Sequence, residues 1–158
     1  MSKIILICGA ICSGKSTLAR ELAQRENAVI LSNDELTKAV GEYLGEQHDA
    51  IAERMQLYLR GKAVEIARAG VSVILEWGFW RRADRTEITR YLTAQGVPFE
   101  WHYMDVAPVQ LRRNIARRNA HPGPSDYVVD EGLMQKCLSA FEPPSPGEMD
   151  IIHVSANC

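Results

Sequence analysis

Residues 8–17 of the chain read CGAICSGKST, and Gly9, Gly14, Lys15 and Ser16 fit the spacing G-x-x-x-x-G-K-[ST]. The chemistry of that spacing is the cradling of nucleotide phosphates. Glycines let backbone N–H groups face an anion with no Cβ in the way, so Gly9, Ala10, Ile11, Cys12, Ser13 and Gly14 form the loop. A helix opening near Lys15 would add its positive end, which puts Lys15, Ser16 and Thr17 in the same phosphate-binding turn. In this reading Lys15 reaches the β- and γ-phosphates and Ser16 binds Mg²⁺.

Asp34, in the stretch ILSNDELTKAV, is the first carboxylate after a second strand-like run. It can take the proton of an attacking hydroxyl, or it can be a plain helix N-cap. Glu76, at the end of VSVILEW, stands where a phosphate-loop protein places a strand-end carboxylate, facing either Mg²⁺ or an acceptor. Trp77, Phe79 and Trp80 form the densest aromatic cluster, as core packing or as walls of an acceptor pocket. Arg81, Arg82 and Arg85 follow as partly helix-surface charges, with Arg81 or Arg82 facing acceptor or phosphate. Residues 107–125 hold four arginines and no acidic residue before position 126. Arg113 and Arg117 share a helical face with Arg118 beside them, an arrangement suited to an anion that visits. The alternative is a solvated basic face.

These residues need a scaffold. Strand-like runs cover 3–8, 28–32, 71–77, 99–106 and 150–155, and four of them are nearly continuous Val/Ile/Leu, as for parallel strands buried on both faces. The fourth alternates Phe99, Trp101 and Tyr103 with Glu100 and His102, which fits a place nearer an edge. Helical patterns fill about 15–26, 34–44, 48–69, 81–95, 108–120 and 130–141. Gly70 and Gly96 close two of them. Strand alternating with helix predicts a three-layer α/β domain with right-handed crossovers. Ligands of such sheets bind beyond the carboxyl ends of the strands, so Lys15, Asp34 and Glu76 should share one rim.

The chain has 158 residues, a net charge of −2, 46% hydrophobic and 24% charged residues. That composition implies one soluble domain over 1–158 with no basic field for nucleic acid or membrane. The four cysteines, Cys8, Cys12, Cys137 and Cys158, form no C-x-x-C pair and read as reduced thiols. No apolar run is long enough for a membrane span, and the expected location is cytoplasmic. The four histidines form no metal-binding cluster. HPGPSD and EPPSPGE read as surface loops, with Glu142 and Glu148 either touching an acceptor or shaping the second.

GAICSGKST, the Asp in SNDEL, VILEWGFWRRADRTEI, LRRNIARRN and FEPPSPGE together resemble the small phosphate-loop kinases that include polynucleotide kinase, gluconate kinase, chloramphenicol phosphotransferase and zeta toxin. The resemblance covers most of the chain in the right order. It implies the P-loop NTPase fold, with a five-stranded parallel sheet of order 2-3-1-4-5 and helices on both faces. It also implies ATP-dependent phosphorylation of a small-molecule hydroxyl such as a sugar, a nucleoside-like compound or an antibiotic, with Asp34 as general base. Lys15, Arg117 and Arg118 would act at the transferring phosphate, Arg113 would hold nucleotide, and about 112–126 would be a mobile lid. Asp34, Thr37, Glu76, Trp77, Trp80 and Arg81 would line the acceptor. Thr37 stands where related polynucleotide kinases carry arginine, which argues against a phosphorylated polynucleotide. The rival readings are a 5′-hydroxyl polynucleotide kinase, and a nucleotide-binding regulator or slow NTPase without an acceptor. The N-K-x-D guanine signature of GTPases is absent from the sequence. The expected assembly is a monomer or a homodimer.

Overall fold

The computed structural model describes residues 1–40, 47–123 and 128–155. Five parallel strands form one sheet: β1 (Ile4–Gly9), β2 (Val29–Leu31), β3 (Val73–Gly78), β4 (Phe99–Met104) and β5 (Ile151–Val154). Their spatial order is β2-β3-β1-β4-β5. The helices are α1 (Lys15–Glu26), α2 (Asn33–Val40), α3 (His48–Arg68), α4 (Arg82–Gln95), α5 (Pro108–Ala120) and α6 (Glu131–Ala140). The order and the alternation agree with the sequence expectation. The expected residues 41–44 of α2 lie outside the described residues.

The central strand explains the layering. All six residues of β1 are buried, and alternate side chains feed opposite cores. Ile4, Leu6 and Cys8 pack with Ala63 and Val64 of α3 and Ile88 and Leu92 of α4. Ile5 and Ile7 pack with Ala19 and Leu22 of α1. A strand buried on both faces must be apolar throughout, as IILICG is. The outer strands differ from the sequence expectation. Val29 of β2 and Ile152 of β5 are exposed, because each strand is an edge and is covered on one side only. β4 lies one strand in from the β5 edge, and its His102 is buried.

Two features carry the sheet into the site. The register between β1 and β3 shifts between Leu6 and Cys8, so that Cys8 pairs with Gly78 at the carboxyl end. A third apolar cluster joins Ile11, within the loop after β1, to Ile115 of α5 and to Met134 and Cys137 of α6. The loop is thus held by the core from beneath and by two helices from the side.

Candidate active site

The loop between β1 and α1 is built around close approach. A Cβ on Gly9 would fall 2.6 Å from Ser13 Oγ and 2.9 Å from Met104 Cβ, so only glycine fits there. Helix α1 opens at Lys15 with no side-chain cap and no acidic residue in its first turn. The amides of that turn have no intrahelical acceptors, and with no acidic residue within the turn itself they suit an anion. The Lys15 ammonium lies under the loop, donating to the Gly9 carbonyl at 3.1 Å and to the Ala10 carbonyl at 2.7 Å. Burial holds it below the usual lysine range, while the charges of Glu76, Cys12, Cys8 and Asp34 pull the other way. Ser16 and Thr17 are exposed at the mouth. A free hydroxyl at Ser16 and a half-buried carboxylate at Glu76 fit a Mg²⁺ shared with phosphate oxygens and water rather than an all-protein cage.

The start of α2 settles which residue caps it. Ser32 Oγ accepts the Glu35 amide at 3.2 Å, and the Ser32 carbonyl accepts the Leu36 amide at 3.2 Å. The cap is therefore Ser32, and Asp34 stands exposed one residue inside the helix. Among the described residues no hydrogen bond engages the Asp34 carboxylate. Thr37, expected to line the acceptor, is placed on the inner side of α2. It is buried, and its hydroxyl turns back to the Asn33 carbonyl at 2.8 Å and to Met55 Sδ at 3.7 Å. A hydroxyl one turn into an amphipathic helix has its own backbone as the nearest acceptor, and α3 then closes over it.

Two indoles tie the end of β3 to β2 on one side and to the phosphate loop on the other. Trp77 Nε1 donates to the Leu31 carbonyl at 2.8 Å, at the end of the strand that leads to Asp34. Trp80 Nε1 donates to the Gly9 carbonyl at 3.1 Å. Phe79 between them is core, with its ring 5.0 Å from that of Trp101 in an edge-on arrangement. The chain makes this turn with Gly78 at φ 82 and Phe79 at φ 47. A Cβ on Gly78 would fall 2.8 Å from Trp80 Nε1, so the turn depends on glycine. Trp77, Phe79 and Trp80, with Gln56, Arg81 and Asp84, line a cavity of about 230 Å³.

The arginines separate by role. Arg81 is engaged by Asp84 through two bonds of 2.9 and 2.8 Å at the edge of this cavity. Arg85 is no surface charge. It is 1% exposed, and it donates to the Phe79 carbonyl at 2.8 Å and to Glu148 at 2.7 and 3.3 Å. Glu148 also accepts the Ser145 amide at 3.0 Å, and Glu142 accepts the Arg82 amide at 2.7 Å, so both glutamates shape chain turns. On α5, Arg113 and Arg117 are exposed, whereas Arg118 is half-buried with its guanidinium 3.4 Å from Cys12 Sγ. Asn114, which sequence reasoning missed, donates to the Cys12 carbonyl at 2.9 Å. Asn119 likewise exchanges two hydrogen bonds with the Val129 backbone, at 2.8 and 2.9 Å, and so fixes the connection to α6. Cys8 is a core thiol, pushed up to about 11 by burial.

A glycine-rich loop at the carboxyl edge of β1, in a parallel sheet of order 2-3-1-4-5, defines the P-loop NTPase fold. Residues 4–144 match the family model described as AAA domain, and the chain belongs to that family. No curated protein matches it. Among solved structures it is similar to a sugar kinase from Janibacter sp. HTCC2649, at 19% identity and TM-score 0.66, covering 98% of this chain and 86% of that one. It is similar to a gluconokinase from Sinorhizobium meliloti 1021, at 19% identity and TM-score 0.63, covering 99% and 84%. It is also similar to the APS kinase of Mycobacterium tuberculosis in complex with AMPPNP and APS, at 16% identity and TM-score 0.67, covering 99% and 90%. These likenesses show the shared fold. Among the described residues no helix is long and apolar enough to cross a membrane.

Proposed function

We propose that the chain is an ATP-dependent kinase that moves the γ-phosphate to a hydroxyl of a small molecule, with Asp34 as general base. One observation carries this reading: Ser32 caps α2, which leaves the Asp34 carboxylate exposed on the rim that also bears Lys15. A carboxylate so placed accepts the proton of an attacking alcohol as its oxygen bonds to phosphorus. The backbone of residues 9–14 and the first turn of α1 hold the phosphates, and Lys15 exchanges its loop carbonyls for phosphate oxygens. Ser16 and Glu76, directly or through water, would hold a Mg²⁺, which would supply neutralisation of phosphate charge. The cavity walled by Trp77 and Trp80 takes the acceptor. Residues 112–126 act as a lid within a single domain spanning 1–158, with Arg118 nearest the phosphates; positions 124–126 lie outside the described residues. The kinases that share this fold support the reading by analogy.

Asp34→Asn tests it. Mg-ATP affinity should stay within severalfold of wild type while acceptor-dependent ADP release falls by roughly 10²–10⁴, the range for a positioned base. The assay screens hydroxyl compounds with purified wild-type and variant protein. Wild-type turnover in the variant would remove Asp34 from the chemistry.

A further inference from the structure

The cavity between the two indoles has a charge balance that says more about its occupant than its shape does. Among the described residues its lining cation is Arg81, already gripped at both ends of its fork by Asp84 at 2.9 and 2.8 Å. That bond holds Arg81 above the usual arginine range, with further support from the charges of Glu53 on α3 and Glu142 after α6. Asp84 thus occupies the guanidinium at the mouth, and the charges of Glu53 and Glu142 further favour its charged form. An acidic ligand would lose water against Trp77 and Trp80 and find no free cation among the described residues lining the cavity. It would also meet the Asp84 carboxylate of the lining, which disfavours binding by repulsion.

The interior is aromatic. Both indole N–H groups are held by backbone carbonyls, Leu31 for Trp77 and Gly9 for Trp80, so neither offers a donor to a ligand carboxylate. What the indoles offer is apolar ring surface, and Gln56 adds a neutral donor and acceptor. At about 230 Å³ the space lies below the ~300–1,000 Å³ of drug-sized sites and suits a compound of about one ring.

We propose that this pocket takes an alcohol that carries no acidic group and lays an apolar face against Trp77 and Trp80. The proposal rests on the kinase reading for the word acceptor, while the charge selectivity of the pocket stands on the pocket alone. It makes Asp84 a specificity-determining residue: by occupying Arg81 it withholds the lining cation that an acidic acceptor would need.

The test compares isosteric pairs that differ only in charge. The probes are 4-(hydroxymethyl)benzamide against 4-(hydroxymethyl)benzoate, and D-glucuronamide against D-glucuronate, each titrated at millimolar concentration with a non-hydrolysable ATP analogue present. Binding is read from tryptophan fluorescence, since Trp77 and Trp80 line the cavity while Trp101 is buried away from it. Trp77→Phe should diminish the signal. In wild type the amides should bind about tenfold or more tighter than the acids. Asp84→Asn, which releases Arg81 and deletes one negative charge, should shrink that ratio to near unity. Arg81→Gln should widen it. Melting temperatures of both variants confirm that they are folded. Equal or tighter binding of the acids to wild type, no binding of any amide, or a ratio unmoved by both variants would overturn the proposal. Phosphoryl transfer is measured in parallel. If every bound amide goes unphosphorylated while the binding ratio holds, the kinase reading fails and the selectivity of the pocket survives.

Discussion

The side-chain amide of Asn114 donates to the carbonyl of Cys12 at 2.9 Å, joining the middle of α5 to the crest of the phosphate loop. Cys12 sits in left-handed backbone, φ 55, a conformation that L side chains adopt only where their surroundings hold them. The same Asn114 accepts from Gln110 Nε2 at 2.9 Å and from Arg117 Nη2 at 3.4 Å, so one residue orients both the helix and the loop. Asn114→Ala would leave the Cys12 carbonyl without this donor, a change of about 1 kcal/mol. The expected result is a severalfold rise in KM for ATP with little change in kcat, checked by steady-state kinetics with ATP varied. An unchanged KM would reduce the contact to helix packing.

Arg118 and Arg117 should behave differently although they are adjacent. Arg118 already reaches the loop, whereas Arg117 faces solvent. A guanidinium over the transferring phosphate is needed most when charge spreads over its oxygens. Arg118→Ala is therefore expected to lower kcat by roughly 10²-fold or more, the scale of losing one charge-stabilising donor. Arg117→Ala should change it by less than about threefold, as expected of a surface charge. Arg118→Lys should not restore activity, because the planar fork is lost. Equal losses from the two alanine variants would refute the ranking. Hydrogen exchange across 112–126 with and without an ATP analogue reports the closure itself.

Lys15→Met should separate stability from activity. Burial lowers the folded pKa of Lys15 below its unfolded value of 10.5, so the charged form is penalised in the folded state. The penalty is fully present below the folded pKa and disappears as pH rises from there past 10.5. The variant should hold or raise the melting temperature at pH 7, with any gain shrinking toward pH 10, while phosphoryl transfer is abolished. Thermal melts at both pH values check this. A clear drop in melting temperature at pH 7 would make Lys15 a structural residue.

The Arg85–Glu148 pair should set the acid limit of the fold. Burial alone would raise the Glu148 carboxyl, but hydrogen bonds from Arg85 and the Ser145 amide, with the Arg85 charge, outweigh it and hold the group below its ordinary 4.5. Its contribution is present above 4.5 and is lost as pH falls through the lowered value. Both side chains are at most 5% exposed, so Glu148→Gln strands a buried guanidinium, at about 3–5 kcal/mol. The variant should melt well below wild type at pH 7, and the gap should narrow in acid below pH 4. Parallel melting curves would contradict this.

What could be seen in the sequence was whatever is local. The phosphate loop is contiguous, and its chemistry follows from residues 9–17 alone. Among the described residues the apolar runs and glycine stops gave the strands and helices to within a few residues, because each period is set by its own neighbours. Partners far apart in the chain were hidden. Arg85 reads as one of three surface arginines, yet it shares the buried stripe of α4 with Ile88 and Leu92, a spacing that could have flagged it. Nothing local points to Glu148, 63 residues later, as its counter-charge. Asn114 carries no local signal, since its partner is a backbone carbonyl 102 positions away. The partners of the Thr37 hydroxyl were hidden too: its own backbone and α3 share it, and helix phase alone does not report that.

The indoles of Trp77 and Trp80 hang from main-chain carbonyls, Leu31 on one side and Gly9 on the other. Main-chain anchors do not mutate. Gln56, Arg81 and Asp84 around them can therefore drift one at a time while the aromatic walls keep their places and the phosphate loop keeps its shape. Under the proposed function, a lineage built this way can change its acceptor without relearning how to hold a nucleotide, and the same separation gives a protein engineer a small set of positions from which to retarget it.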